Sequence, residues 1–360
     1  MDRRSFLATG GVTLGAAAIA GCLGDDSDAD AGDIDADADD LPSESMQIVH
    51  GYPEDPMFHG HQAAITVQDY MDRRTDGQFE VEIVPGGAAG DDTEMLEQVQ
   101  SGAVEATSSA AEGHLTPFYA NMNVVGLPFF FEDVEVANFV FDGPYGDRLR
   151  DDFRDQTGMR MLGFYDNGGF RHFTTSETRV TEPGDMEGLT VRTMNMDAHQ
   201  EMVRQLGAEP VSIEGTEIYS ALDQGVADAQ ENPVPIIQVL SFYEVQEYLM
   251  LDGHVHSMLH LICNDEWYDD LHPAYQQLVA EAGYLGAINA RKVNRLMRER
   301  GRPYLRERMT VVEEDEIDVD AFRERTQEPV EEFVRDAVDD EMWVDDLYDA
   351  RDRAMEHLGY

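Results

Sequence analysis

Short apolar runs alternate with amphipathic stretches from residue 46 onward, the pattern of an α/β protein. Residues 47–50 and 79–84 read as strands, with the helical spacing of residues 59–74 between them. A Pro-Gly-Gly-Ala-Ala-Gly turn over residues 85–90 leads to Asp91-Asp92-Thr93, which caps a helix running to about Ser101. Residues 159–165, 189–192 and 255–263 read as further strands, and 198–206 and 216–222 as helices. The stretch from Pro273 to about Arg300 places Leu278, Ala282, Leu285, Ile288, Leu296 and Met297 at helical spacing. Two more helices are predicted over about 318–338 and 342–358. No repeat interrupts the pattern.

The first forty-five residues stand apart from it. Arg3-Arg4-Ser5-Phe6-Leu7 is a twin-arginine pattern, and the small, apolar run that follows is shorter than the ~20 residues a membrane helix needs. The run ends in Ile19-Ala20-Gly21-Cys22, which resembles the lipobox of bacterial and archaeal lipoproteins. Residues 1–21 are therefore predicted to be a signal peptide and Cys22 a lipidation site. Residues 22–45, mostly Asp, Ala and Gly, are predicted to be a disordered tether that repels itself and holds the rest off the membrane. The expected location is the extracellular face of the cell membrane. Cys263, the only other cysteine, lies in an apolar run and reads as core.

The chain has 360 residues, enough for two lobes of ordinary size, and its 42% hydrophobic content supports a packed core. Its 74 acidic residues against 25 basic ones give a net charge of −49, and Lys292 is the sole lysine. Such a balance argues against nucleic acid, whose binding needs cations to displace counterions. The acidic residues are scattered rather than clustered, so the charge is assigned to hydration in concentrated salt, where screening is strong. Self-repulsion then predicts poor folding at low salt.

The motifs concentrate between residues 164 and 249. Phe164-Tyr165-Asp166-Asn167-Gly168-Gly169-Phe170-Arg171 is followed by Pro183-Gly184-Asp185-Met186-Glu187-Gly188-Leu189-Thr190-Val191-Arg192 and Leu206-Gly207-Ala208-Glu209-Pro210. Next come Glu217-Ile218-Tyr219-Ser220-Ala221-Leu222, Asp228-Ala229-Gln230-Glu231-Asn232-Pro233 and Phe242-Tyr243-Glu244-Val245-Gln246. In this order and spacing they resemble the DctP-type solute-binding proteins of TRAP transporters. The resemblance implies an α/β, two-lobed, periplasmic-binding-protein-like fold with an interlobe cleft and one long hinge helix. By similarity, lobe one comprises residues 46–168 and 258–297, and lobe two 169–257 and 298–360. The implied function is capture of a small organic carboxylate and its delivery to small and large membrane subunits, with no cofactor and no catalysis.

Residue by residue, the resemblance makes Arg192 the cation that pairs with the solute's carboxylate. A planar guanidinium fork forms two parallel charge-assisted bonds that lysine cannot reproduce. Arg171 matches a second arginine lining the site, and Asn232 an asparagine whose amide both donates and accepts. Asn195 falls among the family's polar contacts. Asp92, from the first lobe, is placed to reach hydroxyl or amine groups, although an aspartate at a helix start is also an ordinary cap. Relatives often carry an aromatic residue where this chain has Gly215, and Glu112 aligns with a site glutamate only after a small shift.

Other chemistry is weakly represented. His254, His256 and His260 share one strand face, but nothing nearby is spaced to complete a metal site, so they read as structural. No Gly-x-Ser-x-Gly, His-Glu-x-x-His or phosphate-loop pattern occurs. The rival readings are the binding protein of an ATP-driven importer, which would share this architecture, and a secreted hydrolase or metal enzyme.

Overall fold

The computed structural model describes residues 41–360. The readings placed on Arg3, Arg4 and Cys22, and on the tether up to residue 40, lie outside the described residues. The chain opens with β1 (Glu44–Val49), α1 (His59–Thr75), β2 (Phe79–Val84), α2 (Asp92–Ser101), β3 (Ala106–Ala111) and the single turn α3 (Glu112–Leu115). The first strand thus begins within the expected tether, because residues 44–49 pair in register with the whole of β2. Next come α4 (Val134–Phe141), α5 (Pro144–Thr157) and β4 (Met159–Thr175), then β5 (Thr190–Thr193), α6 (Asp197–Gln205), β6 (Glu209–Ser212) and α7 (Ile218–Asp223). They are followed by β7 (Ala229–Pro233), α8 (Val234–Val239), β8 (Tyr248–Met250), β9 (Val255–Asn264), α9 (Asp265–Asp270) and α10 (Pro273–Arg306). The chain ends with β10 (Thr310–Val312), α11 (Val319–Ala337) and α12 (Met342–Leu358).

The main sheet runs in the order β2-β1-β3-β9-β4-β7-β5-β6. One parallel wing, β2-β1-β3, meets a second, β7-β5-β6, through the antiparallel pair β9 and β4. Both central strands are shared between the wings: β4 pairs with β9 from Met159 onward and with β7 from Arg171 onward. The sequence reading ended the first of these strands at residue 165, ahead of Gly168-Gly169. Those glycines instead form a bulge between Asp166 and Gly169, at φ of +106° and +94°, and the strand continues beyond it. A Cβ on Gly169 would lie 2.9 Å from Arg298 Cδ, so the bulge also admits the passing helix.

That helix is α10. At about 1.5 Å per residue its 34 residues span roughly 50 Å. It lies on α1, where a Cβ on Gly286 would come within 3.1 Å of the Ala63 carbonyl, then on β4, and finally on α8 at Gly301. Arg291 donates to the Phe164 carbonyl (2.8 Å), Asn294 to that of Asp166, and Arg298 pairs with the Asp166 carboxylate, tying the helix to the bulge. It runs past the expected stop near Arg300 and through Pro303, only three residues from its end. α11 packs on α6, whereas α12 packs on α4 and α5: Tyr145 donates to the Trp343 carbonyl (3.1 Å) and Arg148 stacks over the Trp343 ring. The last helix therefore joins elements on the opposite side of the expected lobe division at residue 298.

Candidate functional site

Where the two wings face each other, the charged side chains of Arg171 in β4, Arg192 in β5 and Glu231 in β7 are buried. Arg192 sits in β5 between Val211 of β6 and Gln230 of β7. Its Nε and Nη2 donate to the Ile213 carbonyl, and no carboxylate among the described residues lies within ion-pair distance. Only 2% of the residue is exposed. Burial pulls its proton affinity down to about 10, against the opposing pull of Glu231. This is a buried cation whose counter-charge its own fold does not supply at contact distance.

Arg171 differs. It is fully buried, and its guanidinium is gripped at both Nε and Nη2 by the Glu231 carboxylate. Nη2 also donates to Asn232 Oδ1 (3.3 Å), and Nη1 to Ser257 Oγ (2.9 Å). Asn232 in turn donates to Gln230 Oε1 (2.6 Å), and Gln230 to Thr174 (2.8 Å), so its amide is held by a network within the second wing. Glu231 is held well below the usual carboxylate range, its burial outweighed by Arg171 and by His254 and His199. His254 stacks on Phe173 and bonds to Asp252 Oδ2 at 2.5 Å; against its burial, Asp252 and Glu231 push it up to about 9.

From the first wing, Asp92 is buried at the start of α2 but is not its cap. Asp91 accepts from the Glu94 amide (2.8 Å) while Glu94 accepts from the Asp91 amide (3.1 Å), a closed capping box. Asp92 is thereby free to turn inward, where Ser109 Oγ donates to its Oδ1 (3.3 Å). Glu112, which matches a site glutamate only after a small shift, is fully buried and accepts from Ser257 Oγ (2.8 Å) and the Met258 amide (3.0 Å). Burial raises its affinity for a proton, with Arg171 opposing. Tyr52, which the sequence did not single out, joins the set: its phenol is pushed well up by burial, and it feels the charges of Asp92, Arg171, Glu112 and Arg192.

The fold thus brings Arg192, Arg171, Asn232 and Asp92 to one region. Asn195 stands apart: it is exposed, and its main-chain carbonyl accepts from Thr116 Oγ1 (2.9 Å), joining the two wings through backbone. The histidines of β9 are spent structurally. His256 lies edge-on to Phe131 and Phe170, and His260 Nδ1 contacts the Ala110 carbonyl (2.9 Å). Cys263 is buried in the same strand, where burial pushes its thiol up. Glu231 lies in the quoted Gln230-Glu231-Asn232-Pro233 motif between two polar residues, so only its burial beside Arg171 marks it out; Tyr52 left no sequence signal either.

Two sheet wings joined by shared strands, spanned by one helix and facing each other across buried charges, define a two-lobed extracytoplasmic solute-binding protein. The chain belongs to the DctP family, described as bacterial extracellular solute-binding protein, family 7, which matches residues 53–336, and it is of the type that serves TRAP transporters as solute-binding subunit. It is 30% identical over 249 residues to the 2,3-diketo-L-gulonate-binding periplasmic protein YiaO of Escherichia coli K12, covering 68% of this chain and 74% of that one. A solute-binding protein of Verminephrobacter eiseniae is 35% identical over 237 residues, covering 66% and 69%. The sugar acid binding protein DctPAm of Advenella mimigardefordensis, solved with galactonate, superposes with a TM-score of 0.82 at 27% identity, covering 88% of this chain and all of that one. A TRAP solute-binding protein of Polaromonas sp. JS666, solved with D-erythronate, gives 0.78 at 29% identity, covering 86% and 98%. Among the described residues no helix is long and apolar enough to cross a membrane.

Proposed function

We propose that this chain captures a small hydroxylated organic carboxylate, of the sugar-acid kind, between its lobes. The observation that carries this reading is Arg192, a buried guanidinium with no carboxylate of its own fold at ion-pair distance. An unpaired buried charge is costly, and an incoming carboxylate relieves that cost by charge-assisted hydrogen bonds. Relatives solved with galactonate, D-erythronate and β-D-glucuronate support the class of ligand. Arg171, fixed by Glu231, lines the site as a second cation whose field favours an anion. Asn232 and Asp92 meet the solute's hydroxyl groups, and Asn195, exposed beside its bond to Thr116, adds a polar contact at the rim of the cleft.

The lobes assigned by similarity, 46–168 with 258–297 and 169–257 with 298–360, divide β4 and β9 near the Asp166–Gly169 bulge, with α12 reaching back to α4 and α5. Bonding to both lobes at once favours their closed arrangement, which is the form offered to the small and large membrane subunits. Export by the twin-arginine route, lipidation at Cys22 and a surface suited to concentrated salt complete the proposal. The test is a thermal-shift series in concentrated KCl with galactonate, glucuronate, erythronate and neutral galactose. Acids should raise the melting temperature and galactose should not; equal effects of galactose and galactonate would refute the carboxylate reading.

A further inference from the structure

We propose that Asp92, His114 and Glu214 form a divalent-cation site that clasps the two lobes together. One donor atom from each of the three lies within 4.8 Å of the others. Asp92 opens α2 and His114 sits on α3, while Glu214 comes from the other lobe, on the loop after β6. Nothing in the site already described explains the histidine. His114 is 5% exposed, its Nδ1 has no hydrogen-bond partner, and its Nε2 faces Asp92 Oδ2 at 3.8 Å, too far for a hydrogen bond. Glu214 Oε2 is likewise buried without a partner. Among the described residues no arginine or lysine forms an ion pair with either carboxylate, so two negative groups from opposite lobes meet with an imidazole beside them. Burial raises the proton affinity of Glu214; His114 opposes this, Asp91 and Asp92 add to it, and the Arg192 guanidinium, nearby but not in ion-pair contact, opposes it as well.

The neighbouring residue leaves room. A Cβ on Gly215 would lie 3.3 Å from Asp92 Oδ2, so a side chain there would press on the space between the donors. One imidazole nitrogen with two carboxylates is a mixed donor set that suits zinc or manganese better than the all-oxygen sites of calcium or magnesium. Three protein donors leave coordination positions open to water or to a hydroxyl of a solute in the cleft. Because two donors come from one lobe and one from the other, the ion binds the closed arrangement more tightly than the open one. Only the part played by the solute rests on the proposed function; the ion site stands without it.

The test uses EDTA-stripped protein in concentrated KCl with excess Mg2+, which occupies the diffuse acidic surface. ZnCl2 is titrated by calorimetry, and CoCl2 is followed by its visible absorption. The expected result is one zinc per chain and a protein-bound cobalt spectrum without any added acid. Glu214→Gln and His114→Gln should each weaken zinc by at least about tenfold. Glu214 lies on a half-buried loop, so its variant keeps the fold measurable should the His114 variant unfold. Zinc taken up without a defined stoichiometry, or with unchanged affinity in Glu214→Gln, overturns the clasp. Acid binding is measured separately on the stripped protein: zinc loading without acid binding would sink the carboxylate reading alone, and acid binding without zinc loading would sink the clasp alone.

Discussion

Arg171 and Glu231 meet as a fully buried ion pair, both side chains sealed from solvent, with the guanidinium also held by Ser257 and Asn232. Arg192, by contrast, donates only to the Ile213 carbonyl; on the proposed function, Arg171 is fixed by the fold and Arg192 meets the solute.

Removing half of that pair strands a charge in the interior. Glu231→Gln should destabilise the protein by about 3–5 kcal/mol, and Arg171→Met by a similar amount. The double replacement Arg171→Met with Glu231→Leu should lose less than either single one, since neither charge remains to be desolvated. Guanidinium chloride unfolding in concentrated KCl measures all three.

The pH dependence has two limbs. His254 binds its proton more tightly folded (about 9) than unfolded (about 6.5), so its contribution is complete below pH 6.5 and is lost between about 6.5 and 9. Over that window stability should fall by at most about 1.4 kcal/mol per pH unit. Burial holds His59, His199 and His256 at about 3 and His50 and His260 at about 4, so these remain neutral when the unfolded chain protonates. Their contribution is present above pH 6.5 and is lost as pH falls below it. Stability should therefore peak near pH 6.5, and His254→Gln should flatten the alkaline limb, as read from unfolding free energies at a series of pH values.

Gly113 on α3 is packed against Met194 of the other lobe, and a Cβ there would stand 2.7 Å from the methionine Cβ. Overpacking of this kind costs about 1–3 kcal/mol. Because the clash lies between lobes, Gly113→Ala should push them apart rather than unfold either one. Acid affinity should drop by roughly tenfold or more, the equivalent of about 1.4 kcal/mol, with little change in the melting temperature of the free protein. Calorimetry with small-angle scattering checks both parts.

The amphipathic helices and the β1-α1-β2 start were legible because their periodicity is local. β4 was half legible: Gly168-Gly169 carries a turn's composition, and only the partners on either side, β9 and β7, show that the strand continues through a bulge. Arg192 could be picked out as a charge closing an apolar run. Glu231 could not be paired with Arg171, because sixty residues and a crossover separate them and pairing is a tertiary fact. Asp92 read equally as a cap or a site residue until Asp91 proved to hold the capping box. Asn195 followed the motif's spacing, yet its side chain is exposed and its carbonyl makes the interlobe bond.

The most direct test of the solute-binding account is calorimetric titration of whichever sugar acid most stabilises the wild-type protein, repeated on Arg192→Ala and Arg192→Lys. Hydrogen bonds to charged groups contribute about 1.5–3 kcal/mol each, so Arg192→Ala should weaken binding by about 100-fold or more. Arg192→Lys should restore only part of it, because an ammonium cannot offer the planar fork. Undiminished affinity in Arg192→Ala would contradict the account.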